Sequence, residues 1–237
     1  MDRYFILLGG GDLRSKETLP LDTAIANLVK SRVGERRACA LFIGTASHDF
    51  MPYNNTFHKT YTGELGLKTD VALTVYTRMD DEKLDGKFEK ADLIYVGGGD
   101  TVFLLNHWKE TGLDQKILKA YRAGKVVAGL SAGAICWFEK MYTDSETVTG
   151  ASVPYAVYPA MGLLRGGACP HYNERRADFA EAIPEGEDWL CVENNAAVVF
   201  KNEQLLGALK NGGSAFWVRK EGGKIIEKEI NDGKTLF

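Results

Sequence analysis

Proline is scarce in this chain of 237 residues, at 6 positions, and cysteine and histidine contribute only 4 residues each. The cysteines, Cys39, Cys136, Cys169 and Cys191, lie far apart and form no C-x-x-C pair, which excludes a zinc knuckle and a dithiol redox pair. Three of them sit among apolar or small residues and read as reduced core thiols. No apolar run approaches the roughly 20 residues that cross a bilayer. The opening MDRYFILLGGGD meets glycine and aspartate too early for a signal peptide. Neither sign of charge dominates, since 29 Lys and Arg face 32 Asp and Glu for a formal net charge of −3. A nucleic-acid binder needs a basic face, and an acidic tail needs a block of like charge; the chain offers neither. No close set of His, Cys or carboxylate residues has metal-ligand spacing. The expectation is a cytoplasmic protein without metal, cofactor, nucleic-acid or membrane partner.

What is present is a globular composition, 45% hydrophobic and 26% charged, with 26 glycines. A chain this long buries roughly 70% of its unfolded surface without staples, and no linker or repeat divides residues 1–237, so a single domain is expected. Apolar runs at Tyr4–Leu8 and Leu93–Val96 each end in three glycines; Ala40–Ile43 and Val126–Leu130 have the same look. Continuous apolar strands bounded by glycine suit a parallel sheet covered on both faces. Helical spacing appears over Leu21–Val33, from Asp100 to Trp108, and over Leu113–Tyr121. The alternation predicts a doubly wound α/β sheet. Beyond Trp189, five short apolar segments separated by Asn195, Asn202, 211–213 and 222–223 predict an antiparallel meander, added to the same sheet as an edge extension.

Chemistry concentrates at Gly129-Leu130-Ser131-Ala132-Gly133, a G-x-S-x-G pattern between a buried strand and an apolar run containing Ile135, Trp137 and Phe138. A nucleophile must protrude from a tight strand-to-helix turn, and small residues two positions away on either side let the chain reverse. The amide of Ala132 lies beside the serine and can stabilise an oxyanion. A phosphate loop is excluded by the missing G-K-[ST] lysine.

A serine hydroxyl needs a histidine base. His58 and His107 fall in helical runs beside charged residues and read as ordinary helix positions, whereas His48 follows a strand and could line a site. His171, in the loop Gly166-Gly-Ala-Cys-Pro-His171 and fixed by Pro170, is the preferred base. The base in turn needs an acceptor, and Glu139, Asp144 and Glu146 are the carboxylates between Ser131 and His171. Glu139 reads as a residue on the helix after the serine, about 12 Å away at 1.5 Å per residue. Asp144 and Glu146 both remain open.

With these residues in place, the chain resembles the dipeptidase E and cyanophycinase family of serine peptidases from Gly9 to about Arg176. The resemblance rests on Val96-Gly-Gly-Gly-Asp100-Thr101, Gly129-Leu-Ser-Ala-Gly-Ala134, Phe138 through Thr143-Asp144-Ser145, and Cys169-Pro-His-Tyr172. It implies a flavodoxin-like sheet similar to class I glutamine amidotransferases, Ser131 as nucleophile, His171 as base, and small peptides as substrate. Gly98 or Gly99 would supply an oxyanion amide beside Ala132. The Thr-Asp-Ser element favours Asp144 as third member, while counting without gaps in the dipeptidase branch falls on Glu146. A carboxylate at Asp100 would repel an acidic substrate side chain, whereas Arg175 and Arg176 stand where that branch places a substrate-binding arginine for Asp-X dipeptides. An esterase or amidase, or a binding protein on the same scaffold, are the rival readings.

Overall fold

The computed structural model describes residues 1–76, 79–146 and 152–231. The first half alternates β1 (Tyr4–Leu8), α1 (Leu19–Val33), β2 (Cys39–Ile43), α2 (Met51–His58), β3 (Lys68–Ala72), α3 (Asp81–Lys90) and β4 (Leu93–Val96). Two successive helices, α4 (Thr101–Thr111) and α5 (Leu113–Arg122), then lead to β5 (Val126–Leu130). Gly112, at φ 71°, ends α4 in the left-handed conformation that lets α5 start at once. All five strands run parallel, in the order β1-β5-β4-β2-β3.

Side chains alternate across each strand, and here both faces are covered. Phe5 and Leu7 join a core with Leu84, Phe88, Leu104, Trp108, Ile117 and Tyr121 from α3, α4 and α5. Tyr4, Ile6 and Leu8 point the other way, into a core with Leu21, Ile25 and Val29 of α1 and Phe57 of α2. Burial on both faces explains why these strands read as unbroken apolar runs rather than alternating ones.

The second half holds α6 (Ala132–Ile135), β6 (Phe138–Glu146), β7 (Ser152–Pro159), β8 (Leu164–Cys169), α7 (Tyr172–Ala182) and β9 (Asp188–Val192). It ends with β10 (Ala196–Lys201), β11 (Gln204–Lys210), β12 (Ala215–Glu221) and β13 (Lys224–Glu229). Here the structure departs from two expectations. The meander does not form one edge extension. Strands β10 and β11 extend the parallel sheet antiparallel at β1, whereas β9, β12 and β13 join β6, β7 and β8 in a second, six-stranded sheet. The apolar run Ala196–Phe200 of β10 is buried on both faces, with Val198 and Phe200 in one core and Ala197 and Val199 in the other.

The helix after Ser131 is also much shorter than expected. It stops at Ile135 because the carbonyls of Cys136, Trp137 and Phe138 accept from Met161, Leu163, Leu164 and Gly162 instead of from further helical amides. The Trp137 indole donates to the Gly133 carbonyl at 2.8 Å. Its ring packs 5.0 Å from Phe5 and 5.6 Å from Trp108, which wedges the turn against the sheet. Glu139 therefore lies on β6, where it accepts from the Gly166 amide at 2.8 Å. Among the described residues no helix is long and apolar enough to cross a membrane.

Candidate active site

Strand β5 delivers Ser131 at φ 50° and ψ −109°, a conformation that costs a non-glycine residue on the order of 1–3 kcal/mol. The surroundings hold it there. Its amide donates to the Leu8 carbonyl at 2.9 Å, and its carbonyl accepts from Ala134 and Ile135 at 2.8 and 3.0 Å. The two glycines of the motif are required sterically. A Cβ at Gly129 would lie 2.0 Å from the Gly133 carbonyl oxygen, and one at Gly133 would lie 2.2 Å from that of Val96.

His171 arrives from the other sheet. Strand β8 ends at Cys169, Pro170 follows, and His171 caps α7 at φ 50° and ψ 37°. Its amide donates to the Gly9 carbonyl at 3.0 Å, which ties the loop to the end of β1. The ring bridges two partners: Nε2 lies 2.9 Å from Ser131 Oγ, and Nδ1 lies 2.6 Å from Asn194 Oδ1. An amide oxygen only accepts, so Nδ1 carries the proton and the Nε2 lone pair faces the serine. Burial and the nearby Arg175 guanidinium lower the His171 pKa, against smaller opposing effects of Asn194, Glu174 and Asp144. The imidazole is thereby kept neutral and able to accept a proton.

Gly10 sits directly beneath this contact. A Cβ there would meet Asn194 Oδ1 at 2.1 Å and His171 Nδ1 at 2.4 Å. Asn194 itself lies in the short connection between β9 and β10, where its amide donates to Asn173 Oδ1 at 2.9 Å. The neighbouring Glu193 is anchored by Arg176 and by the Ser214 amide, each at 2.9 Å.

The partner of Nδ1 is therefore Asn194 and not the favoured Asp144. Asp144, half-buried on β6, makes no hydrogen bond to the His171 ring among the described residues; Nδ1 is already engaged by Asn194. The side chain of Glu146 lies outside the described residues. Asn194 is no carboxylate and lies downstream of His171, outside the interval between Ser131 and His171 where an acceptor is expected. Its only signal was the Asn194-Asn195 pair, which reads as a turn.

The expected oxyanion amides separate as well. Ala132 N–H and Gly99 N–H find no protein acceptor among the described residues. Gly98 N–H, in contrast, donates to Tyr53 Oη at 3.3 Å, so that amide is taken. Gly98 instead lies close to the turn, where a Cβ would come 3.2 Å from the Leu130 carbonyl oxygen. Gly99, at φ 141°, passes so near Ala46 that a Cβ would lie 2.2 Å from its carbonyl oxygen.

Asp100 is the N-cap of α4, accepting from the Phe103 amide at 2.9 Å, and this structural duty explains a carboxylate beside the glycine loop. Of the two arginines, Arg176 is committed to the fold. It pairs with Glu193 and Glu227 at 2.9 and 2.6 Å and lies over the rings of Tyr172 and Phe216. Arg175 has no carboxylate partner among the described residues; it lies 4.4 Å over the Tyr155 ring and donates to the Tyr142 carbonyl at 3.4 Å. The remaining histidines are engaged elsewhere: His48 stacks on Phe103, His58 meets Thr69, and His107 meets the Thr74 carbonyl.

The mixed α/β architecture is that of known peptidases. A peptidase from an acI-B1 Actinobacterium superposes with a TM-score of 0.72 at 17% identity, covering 99% of this chain and 96% of its own. The sequence agrees: the profile of peptidase family S51 matches residues 5–207. The chain belongs to that family. It is 34% identical over 236 residues to the uncharacterized peptidase YgaJ of Bacillus subtilis strain 168, covering 96% of both chains. Peptidase E of Streptomyces coelicolor is 28% identical over 172 residues, 63% of this chain and 69% of the relative.

Proposed function

We propose that this peptidase is a serine-type enzyme that cleaves small peptides, Asp-X dipeptides among them, within a single domain. Ser131 Oγ attacks the scissile carbonyl while His171 Nε2 takes its proton. The amides of Ala132 and Gly99 hold the oxyanion, and His171 returns the proton to the leaving amine as the C–N bond breaks. Water then attacks the acyl-enzyme through the same groups. Asn194 keeps the imidazole in the required tautomer. The contact that carries this reading is the 2.9 Å separation of His171 Nε2 and Ser131 Oγ at a strained strand-to-helix turn.

Arg175 favours an acidic N-terminal residue. It is a cation beside His171 with no carboxylate partner among the described residues, while Asp100 caps α4. A panel of dipeptides with acidic, neutral and basic first residues tests both parts. Ser131→Ala should lose turnover by about 1,000-fold or more with its circular dichroism unchanged. Cleavage by Ser131→Ala at the wild-type rate contradicts the nucleophile. Arg175→Ala should raise KM for Asp-X by about tenfold, the order of a charge-assisted hydrogen bond, while sparing neutral peptides.

A further inference from the structure

Asparagine is an ambiguous partner for a catalytic imidazole. Turned one way, Oδ1 accepts from Nδ1–H and the Nε2 lone pair faces the serine. Turned the other way, the Nδ2 group faces Nδ1, which must then lose its proton; Nε2 carries the hydrogen and cannot act as a base. Packing around an amide hardly distinguishes its oxygen from its nitrogen, so some other group has to choose. Glu174, the third residue of α7, is that group: its Oε1 accepts from Asn194 Nδ2 at 2.5 Å. A carboxylate only accepts, so it repels Oδ1 and draws the NH2 group, whichever way the amide would otherwise turn.

We propose that Glu174 is a positioning residue that fixes the Asn194 amide with its oxygen toward His171, completing a line Ser131–His171–Asn194–Glu174. The carboxylate also polarises the amide, placing more negative charge on Oδ1 as the imidazolium forms. Among the described residues, the charged groups around the ring are Glu174 and Arg175 on α7 and Asp144 on β6. Of these three, Glu174 bonds to the side chain holding Nδ1. This inference rests on the reading of His171 as the base for Ser131.

A carboxylate in the first turn of a helix also suits the helix amides, so the test must separate the two roles. Glutamine at this position can present either oxygen or nitrogen to Asn194 and forces neither orientation. In Glu174→Gln, labelling of Ser131 by a fluorophosphonate should slow by about tenfold or more. The nitrogen NMR spectrum of His171 should show a smaller share of the Nδ1–H tautomer. An Asn194→Asp background supplies an acceptor that has no wrong orientation, so there the cost of Glu174→Gln should vanish. A merely structural role predicts the same loss in both backgrounds, and that result, or an unchanged rate and tautomer in Glu174→Gln, overturns the proposal. If the wild-type protein does not label at Ser131, the base reading fails on its own. The tautomer populations then still decide the role of Glu174, which is exposed and can be replaced without threatening the fold.

Discussion

At the scale of single residues, the balance of charge around His171 decides when the site can work. Burial, then Arg175, holds its pKa below the ordinary imidazole value. Protonation inactivates a general base, so the acid limb of kcat/KM should fall with a midpoint below about 6.5. Removing Arg175 removes one of the two causes, and the limb of Arg175→Ala should move upward. A pH–rate profile for both proteins checks this; a wild-type midpoint above the ordinary value, or a downward move in the variant, contradicts it. The tight turn at Ser131 was legible at this scale because a G-x-S-x-G pattern constrains residue type on both sides of the serine, and the approach of His171 because Pro170 fixes its loop. Asn194 was not. Its role depends on β9 and β10 belonging to different sheets, which places their connection over the end of β1.

At the scale of elements, the site is assembled where strands end, and glycines govern how closely those ends meet. Gly10, just beyond β1, separates no atoms in the wild-type protein. A methyl group there must push apart His171 and Asn194. Gly10→Ala should therefore fold but lose about 100-fold or more in turnover, as expected when a base loses its orienting partner. Gly133→Ala has the opposite emphasis. Its Cβ would strike the backbone of β4, which cannot move aside cheaply, so a stability loss of about 1–3 kcal/mol is expected in urea unfolding. Equal stability of Gly133→Ala and wild type would show that the turn is slacker than its contacts indicate. The parallel strands and their covering helices were readable from buried apolar runs and helical spacing. The early stop of α6 was not, because it comes from carbonyls satisfied by residues 161–164, some 25 positions downstream. Likewise, short apolar segments announce strands without naming their sheet, so β9, β12 and β13 read the same as β10 and β11 in the sequence.

For the molecule as a whole, one buried carboxyl couples folding to pH. Asp22 lies in the first turn of α1, buried in the core, accepting from Thr18 Oγ1 at 2.7 Å and from Tyr61 Oη at 2.8 Å. Burial outweighs both hydrogen bonds and pushes its pKa up to about 6. The folded state thus keeps this proton over a range where the unfolded chain, titrating near 4, has released it. Its contribution is fully present below about pH 4 and is lost as pH rises through about 6, a decline of about 3 kcal/mol at most. In Asp22→Asn that decline should disappear from unfolding free energies measured between these limits, and persistence of the full slope would assign it to other groups.

The two sheets meet at the pair that the whole account turns on, a serine from one and a histidine from the other. Peptide mapping after treatment with a fluorophosphonate tests that pair most directly. The adduct should fall on Ser131 in the wild-type protein and be absent from His171→Ala under the same conditions. An adduct on another serine, or undiminished labelling of Ser131 without the imidazole, would contradict it.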